Sequence, residues 1–148
     1  MTETPPILVV AGVIKNGDRV LITQRHDQGD ELGLWEFPGG KVEAGETDQE
    51  ALARELNEEL DVEVAVGGFL LETLYHYPNK SILLRSYLCE SFVGDITLHC
   101  HQAMAWVSFN ALSQYTFSGA DQPLVKYLQE TYQKQQQQQE QQQEQQQQ

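Results

Sequence analysis

The sequence predicts a layered α/β domain, and three observations carry that reading. Apolar, β-branched runs of strand length recur along the chain. One strongly capped amphipathic helix interrupts them, and a second amphipathic helix follows the last of them. Sheets and helices each have an apolar face to bury, so strands flanked by helices pack as layers.

Ile7 to Ile14, ILVVAGVI, reads as a buried strand, and Lys15-Asn16-Gly17-Asp18 as a turn with an Asn-Gly signal. Val20 to Thr23 returns as the second strand of that hairpin, with Arg25 just past its end. His26 to Gly33 is a polar loop. Leu34-Trp35-Glu36-Phe37 then leads into Pro38-Gly39-Gly40, where the backbone can approach a phosphate or a metal without side-chain obstruction. Thr47-Asp48-Gln49-Glu50 is a capping box that starts a helix, and Leu52, Leu56 and Leu60 recur every four residues as its buried stripe. Val62 to Tyr77 and Ser81 to Phe92 read as long strands separated by a turn at Pro78-Asn79. Gly94-Asp95 is a further turn, Ile96 to Leu98 begins another strand, and Ala105 to Val107 is a short one. Ser108 is placed to cap a short helix over Phe109 to Leu112. Asp121 to Tyr132 forms the last helix, with Leu124, Tyr127 and Leu128 at helical spacing.

At 148 residues the chain suits one domain, assigned to 1–134, followed by a Gln-rich low-complexity tail at 135–148 that extends the last helix and carries no catalytic role. Cys89 and Cys100 have no metal-like spacing, and neither a leader sequence nor an apolar run of membrane length is present, so the expectation is a cytoplasmic monomer. The formal net charge of −13 repels nucleic acid polymers and anionic membranes. A phosphate-bearing small molecule would have to arrive with a cation that inverts the local field.

The stretch Phe37 to Val62, FPGGKVEAGETDQEALARELNEELDV, carries the chemistry. Glu55, Glu58 and Glu59 stand at i, i+3 and i+4, so they share nearly one helical face, beside the leucine stripe. Carboxylates held that close repel one another, and a hard cation such as Mg²⁺ or Mn²⁺ reverses the sign of that interaction. A solvated acidic face is the plain alternative, and the preceding glycine loop weighs against it. Arg54 precedes Glu58 by four residues and is placed to pair with it. Lys41 is a point charge suited to a phosphate oxygen; alone, it and Arg25 read as surface residues.

Gly40, five residues, Glu46, seven residues and then Arg54-Glu55-Leu56-Asn57-Glu58-Glu59 resembles the Nudix box, G-x5-E-x7-R-E-U-x-E-E-x-G-U, where U is aliphatic. Asp61 departs from the final glycine, and Val62 fits. Asp tolerates a left-handed helix exit better than most residues, so the departure reads as a local cost. The resemblance extends over roughly Ile7 to Tyr132 and is closest to the MutT-type nucleoside triphosphate pyrophosphohydrolases, with a CTP-hydrolysing branch nearby.

That resemblance implies an α/β/α sandwich with a mixed β-sheet and a Mg²⁺-dependent reaction, NTP + H₂O → NMP + pyrophosphate. It implies that Glu55, Glu58 and Glu59 bind metal, with the Gly39 carbonyl as a further ligand, and that Arg54, by its place in the box, belongs to the catalytic set. Lys41 neutralises phosphate in this reading, and Arg25, Phe37 and Tyr77 line a base pocket. Asp121 stands where the family has an asparagine that reads the base edge; a carboxylate only accepts hydrogen bonds there unless burial protonates it. Cys100 stands six residues before Trp106, where the family commonly has a glutamate that binds metal or acts as base. A thiol does neither well, which leaves Glu58, Glu59 or His101 as candidate bases, with His99 and His101 sharing one strand face. Expected functions are clearance of 8-oxo-dGTP or another damaged dNTP, a CTP or modified-dCTP pyrophosphohydrolase, or a nucleotide-binding module with weakened turnover; a nucleoside diphosphate linked to another group remains open as substrate.

Overall fold

The computed structural model describes residues 4–28 and 33–146. Of the polar loop expected over His26 to Gly33, residues 29–32 lie outside the described residues. Strand β1, Ile7–Asn16, is the central element. Val10 and Ile14 pack into one apolar cluster, Ala11 and Val13 into another, so alternate side chains feed cores on both faces of the sheet. A strand covered on both faces shows an unbroken apolar run, which explains ILVVAGVI.

β1 runs parallel to β7, Ser81–Cys89, from Ile7 opposite Ile82 to Ile14 opposite Cys89. Its other edge is divided. Val9 to Ala11 pair antiparallel with β4, Gly39–Lys41, whereas Lys15 and Asn16 pair with β2, Arg19–Gln24. β2 also takes β3, Trp35–Glu36, and β9, Ala103–Ser108, and β6, Phe69–His76, closes the far edge against β7. Among the described residues, parallel and antiparallel pairs thus coexist in a seven-stranded mixed sheet, and β5, Glu63–Ala65, pairs with β8, Ser91–Val93, in a small second one. The long strands expected over Val62–Tyr77 and Ser81–Phe92 are each divided between these two sheets. Ile96 to Leu98 is not a strand; the Thr97 amide instead donates to the Leu60 carbonyl at the end of the first helix.

That helix, α1, spans Asp48–Leu60, and its capping box is formed as the sequence predicts. The Glu50 amide donates to Thr47 Oγ1 at 3.1 Å. Leu52, Leu56 and Leu60 are fully buried against the β1 face that bears Val10 and Ile14, each worth about 2 kcal/mol of apolar transfer. Asp61 ends the helix in the left-handed region with φ of 60°.

The opposite face is covered by α2, Gln122–Gln146, through Leu124, Val125 and Leu128. The helix continues through the Gln-rich segment well past Tyr132, although every described residue from Gln133 on is exposed. Phe109–Gln114 and Gly119–Asp121 are short 3₁₀ turns, and Ser108 makes no side-chain cap. The layers are therefore α1, sheet, α2.

Candidate active site

Between β3 and α1 the chain passes close along β1. The Gly12 amide donates to the Pro38 carbonyl at 2.8 Å, and the Val42 amide to the Leu8 carbonyl at 3.1 Å. A Cβ on Gly39 would lie 1.9 Å from the Val10 carbonyl oxygen, and one on Gly40 would lie 2.3 Å from the Glu55 carboxyl carbon. Close approach to the Val10 backbone requires glycine at 39, and Gly40 brings the backbone against the Glu55 side chain on the carboxylate face of α1.

Arg54 fastens this loop to the helix. Its Nε and Nη2 donate to the two oxygens of Glu46 at 2.7 and 2.9 Å, and Nη2 also reaches the Lys41 carbonyl at 3.1 Å. The expected contact with Glu58 exists at 3.3 Å, but Nη1 shares it with Glu55 at 3.1 Å, and the two-pronged bond goes to Glu46. A planar guanidinium matched to a carboxylate is the stronger geometry. The Arg54 hydrogen bond, with a backbone bond from the loop, holds Glu46 down at about 2.

The three glutamates differ in environment. Glu58 is mostly exposed and Glu55 mostly covered. Burial pushes the Glu55 carboxyl up against the opposing pull of Arg54. Glu59 is pushed up to about 7 by burial, with the positive influence of His101 opposing and the charges of Glu55 and Glu36 adding. Its Oε2 is buried and has no protein partner among the described residues. As the side chains stand, no three His, Cys, Asp or Glu among the described residues converge on one point. Arg54 engages two of the glutamates, Glu55 and Glu58, through a single guanidinium nitrogen. The donor set nonetheless fits a hard divalent cation: oxygens from one helical face, one of them buried and unpartnered, beside a backbone that carries no side chain.

On the other side of the Gly39–Gly40 strand lies a cavity of about 190 Å³, lined by Arg25, Phe37, Lys41, Tyr77 and Asp121 among others. The five residues expected to bind substrate therefore do meet. Asp121 is buried at its floor, where Ser118 Oγ donates to Oδ2 and the Phe37 amide to Oδ1 at 3.4 Å. Burial pushes its carboxyl up to about 7 despite the Ser118 bond, with the Glu36 charge adding. The Ala120 amide donates to the Tyr77 hydroxyl at 3.0 Å, fixing that ring against the wall. Phe37 stacks on Phe117 with centroids 5.4 Å apart.

Two lining residues, Glu36 and Lys80, escape a reading of the sequence. Lys80 sits at a hairpin tip with no motif around it. Glu36, between two aromatics on a two-residue strand, was the one readable signal. Its carboxylate accepts from Arg25 Nε at 2.7 Å and from His101 Nε2 at 3.1 Å. Burial would raise Glu36, but the His101 bond and the Arg25 charge outweigh it and leave the carboxyl below its ordinary value.

His99 and His101 do not share a strand face, because Ile96 to Gln102 forms no strand. Hydrogen bonds to the end of α1 take the place of sheet pairing: the His99 amide donates to the Glu59 carbonyl at 3.0 Å, and His99 Nε2 lies 2.9 Å from Asp61 Oδ2. His99 is half exposed, whereas the His101 side chain is buried. Cys100, exposed between them, is pushed up by burial and by the charges of Glu59, Glu55 and Glu58, so its thiol stays protonated at neutral pH.

A carboxylate-bearing helix, a glycine strand and a small cavity meet in an α/β/α sandwich, the arrangement of a hydrolase family that similarity to known proteins identifies. Residues 9–127 match the NUDIX domain. CTP pyrophosphohydrolase of Escherichia coli is 40% identical over 120 residues, 81% of this chain and 89% of that protein. 8-oxo-dGTP diphosphatase of Haemophilus influenzae is 39% identical over 129 residues, 85% of this chain and 94% of that one. A MutT structure from work on the Aliivibrio salmonicida and Vibrio cholerae proteins superposes with a TM-score of 0.73 at 33% identity, covering 86% of this chain and 99% of that one. The chain belongs to the Nudix family and is a Nudix hydrolase of the MutT type. Among the described residues, no helix is long and apolar enough to cross a membrane.

Proposed function

We propose that this hydrolase is a Mg²⁺-dependent nucleoside triphosphate pyrophosphohydrolase of the nucleotide pool, with Mn²⁺ as an alternative ion. The observation that carries the reading is the shared Gly39–Gly40 strand, which has the cavity of Arg25, Tyr77 and Asp121 on one side and Glu55 on the other. A base seated in the cavity would send its phosphates past Lys41 toward α1.

Glu55, Glu58, Glu59 and the Gly39 carbonyl are the residues that would hold the cation. When bound, it supplies charge neutralisation of the triphosphate and of the pyrophosphate leaving group. Arg54 keeps Glu55 and Glu58 near the loop, and Glu59, with its unpartnered oxygen, is the best-placed group to take a proton from water. Phe37 and Tyr77 confine the base, Arg25 donates to it, and Asp121 reads its edge.

An oxidised guanine nucleotide, 8-oxo-dGTP, is the leading substrate, in keeping with the name carried by the Haemophilus influenzae relative. Cytosine nucleotides are the second reading, favoured by the carboxyl of Asp121 and by the 40% identical CTP pyrophosphohydrolase. Residues 1–134 form the catalytic domain in this reading, acting as a cytoplasmic monomer. The test is a Mg²⁺-dependent assay over normal, oxidised and 5-substituted (d)NTPs that separates pyrophosphate from phosphate. Pyrophosphate released preferentially from 8-oxo-dGTP supports the first reading and a cytosine preference the second; phosphate alone would overturn both.

A further inference from the structure

We propose that Glu36 is a positioning residue that couples the base pocket to His101, so that seating a base resets the imidazole beside the carboxylate helix. The proposal rests on the cavity being the base pocket.

Glu36 has two carboxylate oxygens and each is committed: Oε2 to Arg25, which lines the cavity, and Oε1 to His101. The short strand that carries Glu36 is fixed, since Thr23 Oγ1 donates to its carbonyl at 3.2 Å and β2 pairs with it. The carboxylate, held only by those two side-chain bonds, is the part that can turn without moving the strand. Turning it to follow Arg25 moves the acceptor on which His101 depends.

His101 has no other side-chain anchor among the described residues. The backbone on either side is held by the Gln102 amide on the Gln24 carbonyl at 3.0 Å and the His99 amide on the Glu59 carbonyl at 3.0 Å, but ring Nδ1 is buried without a protein partner. Glu59 Oε2 is buried and unpartnered too, and the two side chains are close enough to influence one another electrostatically. The ring that Glu36 orients is thus a neighbour of the carboxylate best placed to act on water.

Chemistry makes the carboxylate specific to the task. It accepts from two donors at once, whereas a glutamine of the same shape has one acceptor and one donor group. In Glu36→Gln the amide oxygen can still accept from Arg25, but the amide nitrogen then meets His101 as a donor, which the ring takes only in the tautomer whose Nε2 carries no proton.

The test is nitrogen NMR of the His101 ring in the full chain, with EDTA present, during titration with cytidine and with 8-oxo-2′-deoxyguanosine. In the wild type, saturation is expected to shift the His101 ring nitrogens together with the Phe37 and Ala120 amides. In Glu36→Gln the amides still shift and the ring no longer responds. Arg25→Lys, at a half-exposed position, is expected to move the ring signals with no nucleoside added. In turnover, kcat differs between preferred and disfavoured triphosphates in the wild type and converges in Glu36→Gln, while a KM difference persists. Amide shifts with a silent His101 ring in the wild type, or a base-dependent ring shift surviving in Glu36→Gln, would overturn the coupling alone. Amides that never shift would overturn the pocket reading, and the proposal with it.

Discussion

Arg54 and Glu46 are joined by two parallel hydrogen bonds of 2.7 and 2.9 Å, so the loop entering α1 and the carboxylate face of α1 are tied to one another. The same guanidinium touches Glu55, Glu58 and the Lys41 carbonyl. Arg54→Ala is expected to lower kcat/KM by about 10- to 100-fold, as for other groups that orient metal-binding side chains. Arg54→Lys keeps the charge and loses the fork, and should recover little of it. Rates measured across a Mg²⁺ titration check this: the variant should need more cation for half-maximal activity.

Glu59→Gln is expected to reduce turnover by at least about 10²-fold with the fold intact. The stability effect has a definite sign. The folded carboxyl titrates at about 7 and its ordinary value is 4.5. Between those values the unfolded chain has lost its proton and the folded chain keeps it, so the wild type loses stability as pH rises from 4.5 to 7. After allowance for partial solvent screening the amide should be the more stable form at pH 7 by about 2 kcal/mol without metal. Thermal melts would show it, and Mg²⁺ should raise Tm in the wild type much more than in the variant. A Glu59→Gln enzyme with near-wild-type rate would refute the assignment of this carboxylate.

Gly39 and Gly40 should respond differently to the same methyl group. In Gly40→Ala the clash is with the end of the Glu55 side chain, which can swing away, so folding survives and activity falls. In Gly39→Ala the clash is with the Val10 backbone in the central strand, where nothing gives cheaply. A loss of about 1–3 kcal/mol is expected there, as for other overpacked sites. Urea unfolding of the pair, set beside their rates, separates a displaced side chain from a displaced backbone.

Burial pushes the Asp121 carboxyl up to about 7, so its proton is lost progressively as pH rises through that value. It can donate a hydrogen bond to a base only while protonated. The ratio of kcat/KM for 8-oxo-dGTP and CTP is therefore expected to drift with pH through that value, by about tenfold, the worth of one hydrogen bond. Asp121→Asn offers a donor at every pH, and its ratio should stay flat. An equally flat wild-type profile would remove Asp121 from base selection.

The parts legible in the sequence are those fixed by local chemistry or fixed spacing. The capping box announces α1, the four-residue leucine repeat announces its buried face, and the strand run of β1 announces a two-sided core. The box places Glu55, Glu58, Glu59 and Arg54 on one surface in the same way. What was not legible depends on partners distant in sequence. Glu46 outcompetes Glu58 for Arg54 because the loop folds back, which i, i+4 spacing cannot show. Glu36 and Asp121 lie 85 positions apart along a numbering that says nothing of their shared cavity. His99 and His101 diverge because their segment pairs with a helix end and not with a strand.

Asp61 is where the motif departs from glycine, and its left-handed backbone is a strain of about 1 kcal/mol that glycine would avoid. In return its carboxylate clasps His99 at 2.9 Å, two residues from His101. The helix exit and the histidine segment are thereby latched together, so relaxing one slackens the other. Glycine in place of Asp61 would give this chain a more comfortable turn and a looser hold on the histidine segment.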